Sequence, residues 1–587
     1  NSVAGNTVLG ESALDASVSG GNNTAIGKSA LTTNTSGTQN TAVGADALDS
    51  NTTGSFNVAV GHDALQANVS GTYNVGIGQT ALGVNTGSGN TAVGGGALEA
   101  NTSSNNNTAV GHNTLADQTT GTGTACGSYA LYKSTTGTNN TAVGHNSLGN
   151  STTASNNTAV GHYSLNANTT GTLNVAVGAL SLDANTTATE NTAVGYASLT
   201  ANTTGGFNTA VGTASLLVNT TGGANTSIGV DALKNNTTAS NNVAVGRSAL
   251  LANTTGASNV AIGAFALLAN TTASDNTAIG KQALVTNTTG ASNTAVGVNS
   301  LAANTTASNN TAIGLSALTA NTTGTDNTAV GSGALDANTT ANNNTAVGKE
   351  ALTDNTTGSE NTSIGAFTLQ DNTTGQNNSG SGYAALNKNT TANNNTAFGF
   401  FALGNNTTGT DNVAVGANAL DANTTANINT AVGSNALGAN TTGTQNVALG
   451  AYALDANTTG NKNTCTGYDS GGAITTGIEN TCIGSDAGGE LTTGNYNTCV
   501  GNNSGNDITN GYHNVAIGHS TDTNNVDRSI TIGSDIQSKG SDYISLGRTG
   551  TGVVYNQYSS NATWTRESDE RLKKDINTNT DCGIDFI

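Results

Sequence analysis

A single pattern runs through most of this chain and restricts what it can become. Asn40, Thr41, Ala42, Val43 and Gly44 open a unit that continues through Leu48, Asn51, Thr52 and Thr53 to Phe56, and the next unit begins at Asn57, a period of 17. The register starts at Asn6, Asn23, Asn40, Asn57 and Asn74 and shortens by one position on entering Asn90 and again on entering Gly123. It then continues through Asn140, Asn276 and Asn412 to Asn514, which makes 31 units. Repetition at a fixed period implies a stacked architecture in which each unit buries its apolar face only against its neighbours. A disordered tract of the same polar composition would have no reason to hold register.

Counting each unit from its Asn, two positions are consistently apolar: the fourth (Val43, Val60, Ile77) and the ninth (Leu48, Leu65, Leu82). Both are expected to face the core. The second position alternates between Thr and Val (Thr41, Val58, Val75), which suits an inward or half-buried strand side where β-branched residues pack well. Residues two apart share a strand face, so this reading points positions two and four inward and the Asn, Ala and Gly between them outward. On that basis an Asp at Val160 would bury an unpaired charge. Gly at position five, Gly often at fifteen and Asn-Thr-Thr at twelve to fourteen leave no segment long enough for a stable helix. The pattern predicts two short strands and two turns per unit, stacked into an all-β, parallel β-solenoid (β-roll) of 17-residue coils. Asn above Asn, at positions one and twelve, should form amide ladders between coils.

Composition narrows the function classes. Only 9% of the 587 residues are charged and 4% aromatic, with no Pro and no Met, so any core must be built from small and β-branched side chains. With 35 acidic against 15 basic residues the formal charge is −20, a balance that makes nucleic acid and anionic membranes poor partners. No run approaches the roughly 18 apolar residues needed to cross a bilayer, so no membrane insertion is expected. The chain opens at Asn1 without a start methionine or a signal-peptide pattern, and further chain is expected upstream. Inside the repeats there is no nucleophile, acid pair or phosphate loop, and the pattern assigns neither a cofactor nor a metal.

Three sets of residues stand out against the repeat. Cys465, Cys482 and Cys499 fall at position three of successive units, where Ala is usual, and should stack at a Cα spacing a disulfide tolerates; a small buried thiol replacing Ala is the preferred reading. Cys126 and Cys582 complete an odd, sparse set that forms no disulfide framework. His62, His112, His145, His162 and His519 all follow the Gly at position five. They read as solvated corner residues, without a carboxylate in a ligand pattern. Asn-Thr-Thr at position twelve, as in Asn51, Asn168 and Asn202, is formally an N-glycosylation acceptor. An ice-binding face is disfavoured, because the adjacent Thr52 and Thr53 should point opposite ways.

The Asn-x-Ala-Val/Ile-Gly core resembles the head repeats of trimeric autotransporter adhesins, whose coils are parallel β-rolls, although those repeats are shorter. The last units here do contract: the steps from Gly518 to Gly533 and from Gly533 to Gly547 are both shorter than the full period, the second more so than the first. At the C-terminus, Ser568, Asp569, Glu570, Arg571, Leu572 and Lys573 resemble the opening of the self-cleaving intramolecular chaperone of phage tail spikes and fibres, typified by endosialidase tailspikes. The resemblance implies a catalytic nucleophile at Ser568, its base at Lys573, and cleavage between Ser568 and Asp569. It also implies a homotrimer, as both families assemble in threes. A serine hydroxyl needs a neighbouring base, and a lysine serves as one only when burial or nearby charge lowers its pKa.

The organisation expected is therefore a repeat shaft over 1–522, shorter coils and a neck over 523–560, and the start of a self-cleaving chaperone over 561–587. The function expected is that of a structural fibre, a virus tail fibre or spike shaft. Its partners would be identical chains, a host cell-surface receptor of glycan or protein character, and other tail or baseplate proteins, with a virion location. The alternative is a bacterial trimeric surface adhesin or extracellular filament.

Overall fold

The computed structural model describes residues 3–559 and 565–567; Ser568, Asp569, Lys573 and Cys582 lie outside the described residues. The chain forms two compact units, Asn1–Ser308 and Asn309–Ile587. Each is a parallel β-solenoid, and no helix occurs among the described residues.

The first unit holds the strands β1 (Thr7–Leu9) to β18 (Thr294–Val296), one per coil. All are of three residues apart from Gly123–Cys126 and Asn140–Val143, which have four. Each pairs in parallel with the strand of the next coil, like on like: Thr41 with Val58, Ala42 with Ala59, Val43 with Val60. The second unit repeats this from β19 (Thr311–Ile313) to β31 (Val515–Ile517). There the coil contracts, as β32 (Ile530–Ser534) and β33 (Tyr543–Arg548) keep parallel register through Val515, Ile530 and Ile544. The winding then stops. β34 (Gly552–Gln557) turns back antiparallel on β33, and β35 (Thr565–Glu567) lies antiparallel on β34. A hairpin laid on the last coil pairs the backbone groups that an open sheet edge would leave bare.

The expected second strand is absent. Positions six to eleven are a run of turns, because positions seven and nine take the left-handed backbone, as at Asp46 (φ 55°) and Leu48 (φ 49°). Such angles are uncommon for residues other than Gly, and for Leu they cost on the order of 1 kcal/mol. The coil-to-coil hydrogen bonds continue through this run even so: Leu48 N–H donates to Ala64 C=O (3.0 Å) and Ser50 N–H to Gln66 C=O (3.0 Å). Burial of Leu48, with no exposed surface, offsets the local strain by roughly 1.5–3 kcal/mol. At position five the backbone leaves no choice of residue. Gly44 has φ 142°, and a Cβ there would lie 2.3 Å from the carbonyl oxygen of Gly61 in the next coil.

The strand faces the other way from the sequence expectation. Ala at position three is wholly buried, as at Ala42, Ala59 and Ala159, while Thr or Val at two and Val or Ile at four are half-buried or exposed. Volume overrides hydrophobicity here. The interior also takes in Leu at nine, Ala or Ser at eight, and Asn at one and twelve, and so narrow a coil has room for one methyl at position three but not for a second branched chain.

The Asn ladders form as expected. Asn57 N–H donates to Asn40 Oδ1 (3.0 Å), and Asn57 Nδ2 to the Gly71 carbonyl (2.9 Å). On the position-twelve side, Asn51 Nδ2 donates to Asn34 Oδ1 (2.9 Å) and to Gly54 C=O (3.1 Å). Where the row changes residue, partners are lost. Gln118, Ser134 and Ser151 hold position twelve in the first unit, and Asn457 precedes Ile474 in the second. The amide of Gln118, the hydroxyls of Ser134 and Ser151, and Asn457 Oδ1 are buried without a side-chain partner.

Candidate functional site

Because the strand turns positions two and four outward, each unit presents at position four a row of mostly Val and Ile stacked coil on coil, interrupted in the second unit by Ser381 and Thr466. Val43 lies beside Val60, Val60 beside Ile77 and Ile262 beside Ile279. In the second unit Val415 lies beside Val432 and Val432 beside Leu449. The more open members of the row keep about two-fifths of their surface, such as 36% at Val347 and 45% at Ile364. Soluble monomers rarely leave a contiguous apolar strip of this kind uncovered. Cys126 takes position four within the row, exposed, between Val110 and Val143.

The three cysteines of the second unit stack in register, Cys465 with Cys482 and Cys482 with Cys499, free and wholly buried. The packing reading therefore holds. Their coils change together at three places: Leu at nine becomes Gly471, Gly488 and Gly505, and Asn at twelve becomes Ile474, Leu491 and Ile508. The thiol fills the space vacated by leucine, since a Cβ on Gly488 would stand 2.7 Å from Cys482 Sγ. Hydrogen bonding between neighbouring thiols, then burial, holds the Cys482 and Cys499 pKa values well above the ordinary range. Thiols so poorly ionised are weak nucleophiles and weak metal ligands.

The histidines at position six are exposed. His145 and His162 stack on neighbouring coils with ring centroids 5.5 Å apart. The expectation that no carboxylate accompanies this set fails at two places. His519 Nδ1 lies 3.2 Å from Asp535 Oδ1, and His62 Nδ1 lies 2.8 Å from Asp63 Oδ2 with Asp46 close by. Asp63 is simply the next residue after His62, whereas coil stacking brings Asp535 to His519 and Asp46 to His62 from almost a whole period away, which linear spacing conceals.

The Asn-Thr-Thr row is closed to modification in the folded coil. Asn51, Asn168 and Asn202 are wholly buried, and their Nδ2 atoms donate to the Gly54, Gly171 and Gly205 carbonyls at 2.9–3.1 Å. Thr52 Oγ1 donates to the Val69 carbonyl (3.1 Å), which leaves Thr53 as the exposed hydroxyl of the pair.

The fold thus defines a parallel β-solenoid with an apolar outer strand face. Compared with known proteins, the chain matches no family model, no curated sequence and no solved structure. No helix among the described residues is long and apolar enough to cross a membrane.

Proposed function

We propose that this chain is the shaft of a homotrimeric fibre, a virus tail fibre or spike. It would reach a host-cell surface receptor of glycan or protein character, join other tail or baseplate proteins, and carry a self-cleaving chaperone that begins near Ser568. The observation that supports the reading most is the outward row of Val and Ile at position four. Three copies meeting on this row would withdraw its apolar members from water within each unit, and burial of such surface is worth roughly 25 cal/mol per Å2. The number three comes from the resemblance of the Asn-x-Ala-Val-Gly unit to trimeric adhesin heads. Light scattering should report three chains of 57.5 kDa. In a Cys582→Ser background, a short bis-maleimide should join chains through Cys126, because the other three thiols are buried. A monodisperse, uncrosslinked monomer with full β-structure would refute the assembly.

The same row would serve a bacterial trimeric adhesin, and the C-terminal segment separates the two readings. Produced from a gene that continues past Ile587, the viral fibre should split into a product ending at Ser568 and a fragment beginning at Asp569. Ser568→Ala and Lys573→Ala should each leave an uncut trimer, because nucleophile and base are both needed. Intact mass distinguishes the outcomes: equal cleavage in all three chains means a contaminating protease, and no cleavage in the parent favours the adhesin.

A further inference from the structure

We propose that Asp46, His62 and Asp63 form a binding site for a divalent transition-metal ion of the zinc class, pinning two successive coils of the first unit together. The argument starts from the repeat. Asp46 and Asp63 both hold position seven, one coil apart, and Asp63 N–H donates to the Ala45 carbonyl (3.1 Å), which sets one carboxylate above the other. His62 occupies position six of the upper coil, with Nδ1 2.8 Å from Asp63 Oδ2. One ligand atom from each of the three residues lies within 4.8 Å of the others, and no other group of three does so among the described residues.

Carboxylates stacked on adjacent coils repel each other. Asp49, half-buried one turn further on, adds a third acid nearby, its carboxyl raised by burial first and then by Asp46 and Asp63. A cation between the two carboxylates removes that repulsion. One imidazole nitrogen with two carboxylate oxygens is a donor set suited to Zn2+, whose bonds to such atoms are about 2.0–2.2 Å. His62 keeps 57% of its side-chain surface, so the ring and the two short acids are free to close on an ion. With these three ligands in place, the remaining coordination positions are filled by water. The other histidines are less well equipped: His519 faces one carboxylate, and His145 and His162 stack ring on ring.

The test uses the whole chain with Zn2+ in calorimetry and Co2+ as the spectroscopic probe. The parent should bind one Co2+ with the absorption bands of a nitrogen- and oxygen-coordinated ion, and Zn2+ should displace it and raise the melting midpoint. His62→Ala and Asp46→Asn, both surface changes that leave the coil intact by circular dichroism, should weaken binding about tenfold or more. They should also abolish the Zn2+-dependent shift, whereas His162→Ala should change neither. Absence of saturable Co2+ and Zn2+ binding in the parent overturns the proposal. So does binding that survives His62→Ala, or binding that His162→Ala removes.

Discussion

Ala159 and Val160 are neighbours on one short strand, and the structure assigns them opposite fates: Ala159 is wholly buried and Val160 half-exposed. A charge at the two positions should therefore act differently. Ala159→Asp places a carboxylate among Leu, Asn and Ala with no cation to meet it, and should cost about 3 kcal/mol or more of local stability. Val160→Asp leaves the coil's own packing intact and lets its charge reach water, so it should weaken association of chains with little change in the β-structure of one chain. Circular dichroism and light scattering on the two variants read fold and assembly separately. If Val160→Asp unwinds the coil and Ala159→Asp does not, the facing of the strand is the reverse of that described.

At the scale of the coil, the units around Cys465, Cys482 and Cys499 show how one interior is filled in two ways. Most coils combine Ala at three, Leu at nine and Asn at twelve; these combine Cys, Gly and Ile or Leu. Gly488→Leu alone should overfill the coil against Cys482 Sγ and cost about 1–3 kcal/mol. Joined with Cys482→Ala and Leu491→Asn, the same change restores the common unit and should recover more than half of that loss. Thermal unfolding of the single and triple variants checks it, and a triple variant no more stable than Gly488→Leu would show that the three positions do not compensate one another.

At the scale of the molecule, stacking identical units also stacks like charges in an acidic chain. The carboxyls of Asp49, Asp183, Asp354, Asp421, Asp455, Asp469 and Asp522 are all raised, with burial the largest cause. An acid neighbour adds to it in several of them, among them Asp371 beside Asp354 and Asp486 beside Asp469. A raised carboxyl binds its proton more tightly folded than unfolded, so the destabilisation is fully present at neutral pH. It is relieved as pH falls through the raised values toward the ordinary 3.8. Asp535, exposed, and Asp542, half-buried, are lowered by hydrogen bonds from Ser534 and Arg528 respectively and oppose this. The denaturation midpoint should accordingly rise between pH 7 and the region just above 3.8; a monotonic fall over that range would mean that other carboxylates set the acid response.

The period, the parallel stacking of like on like, the burial of Leu at nine, the two Asn ladders, the cysteine column and the contraction after Gly518 were all legible in the chain. All of these follow from repetition, because a residue recurring once per period must meet its own kind in the next coil. Which side of each strand faces inward was settled only when the coils closed. Ala42 and Val43 are both apolar, and the choice between them rests on the width of the enclosed space, which no alternation pattern encodes. The missing second strand has a similar origin, since burying Leu48 with its backbone left-handed satisfies the coil better than an extended segment would. Asp46 and His62 were equally hidden in the linear chain: nearly a full period separates them, and they become neighbours only when one coil is laid upon another.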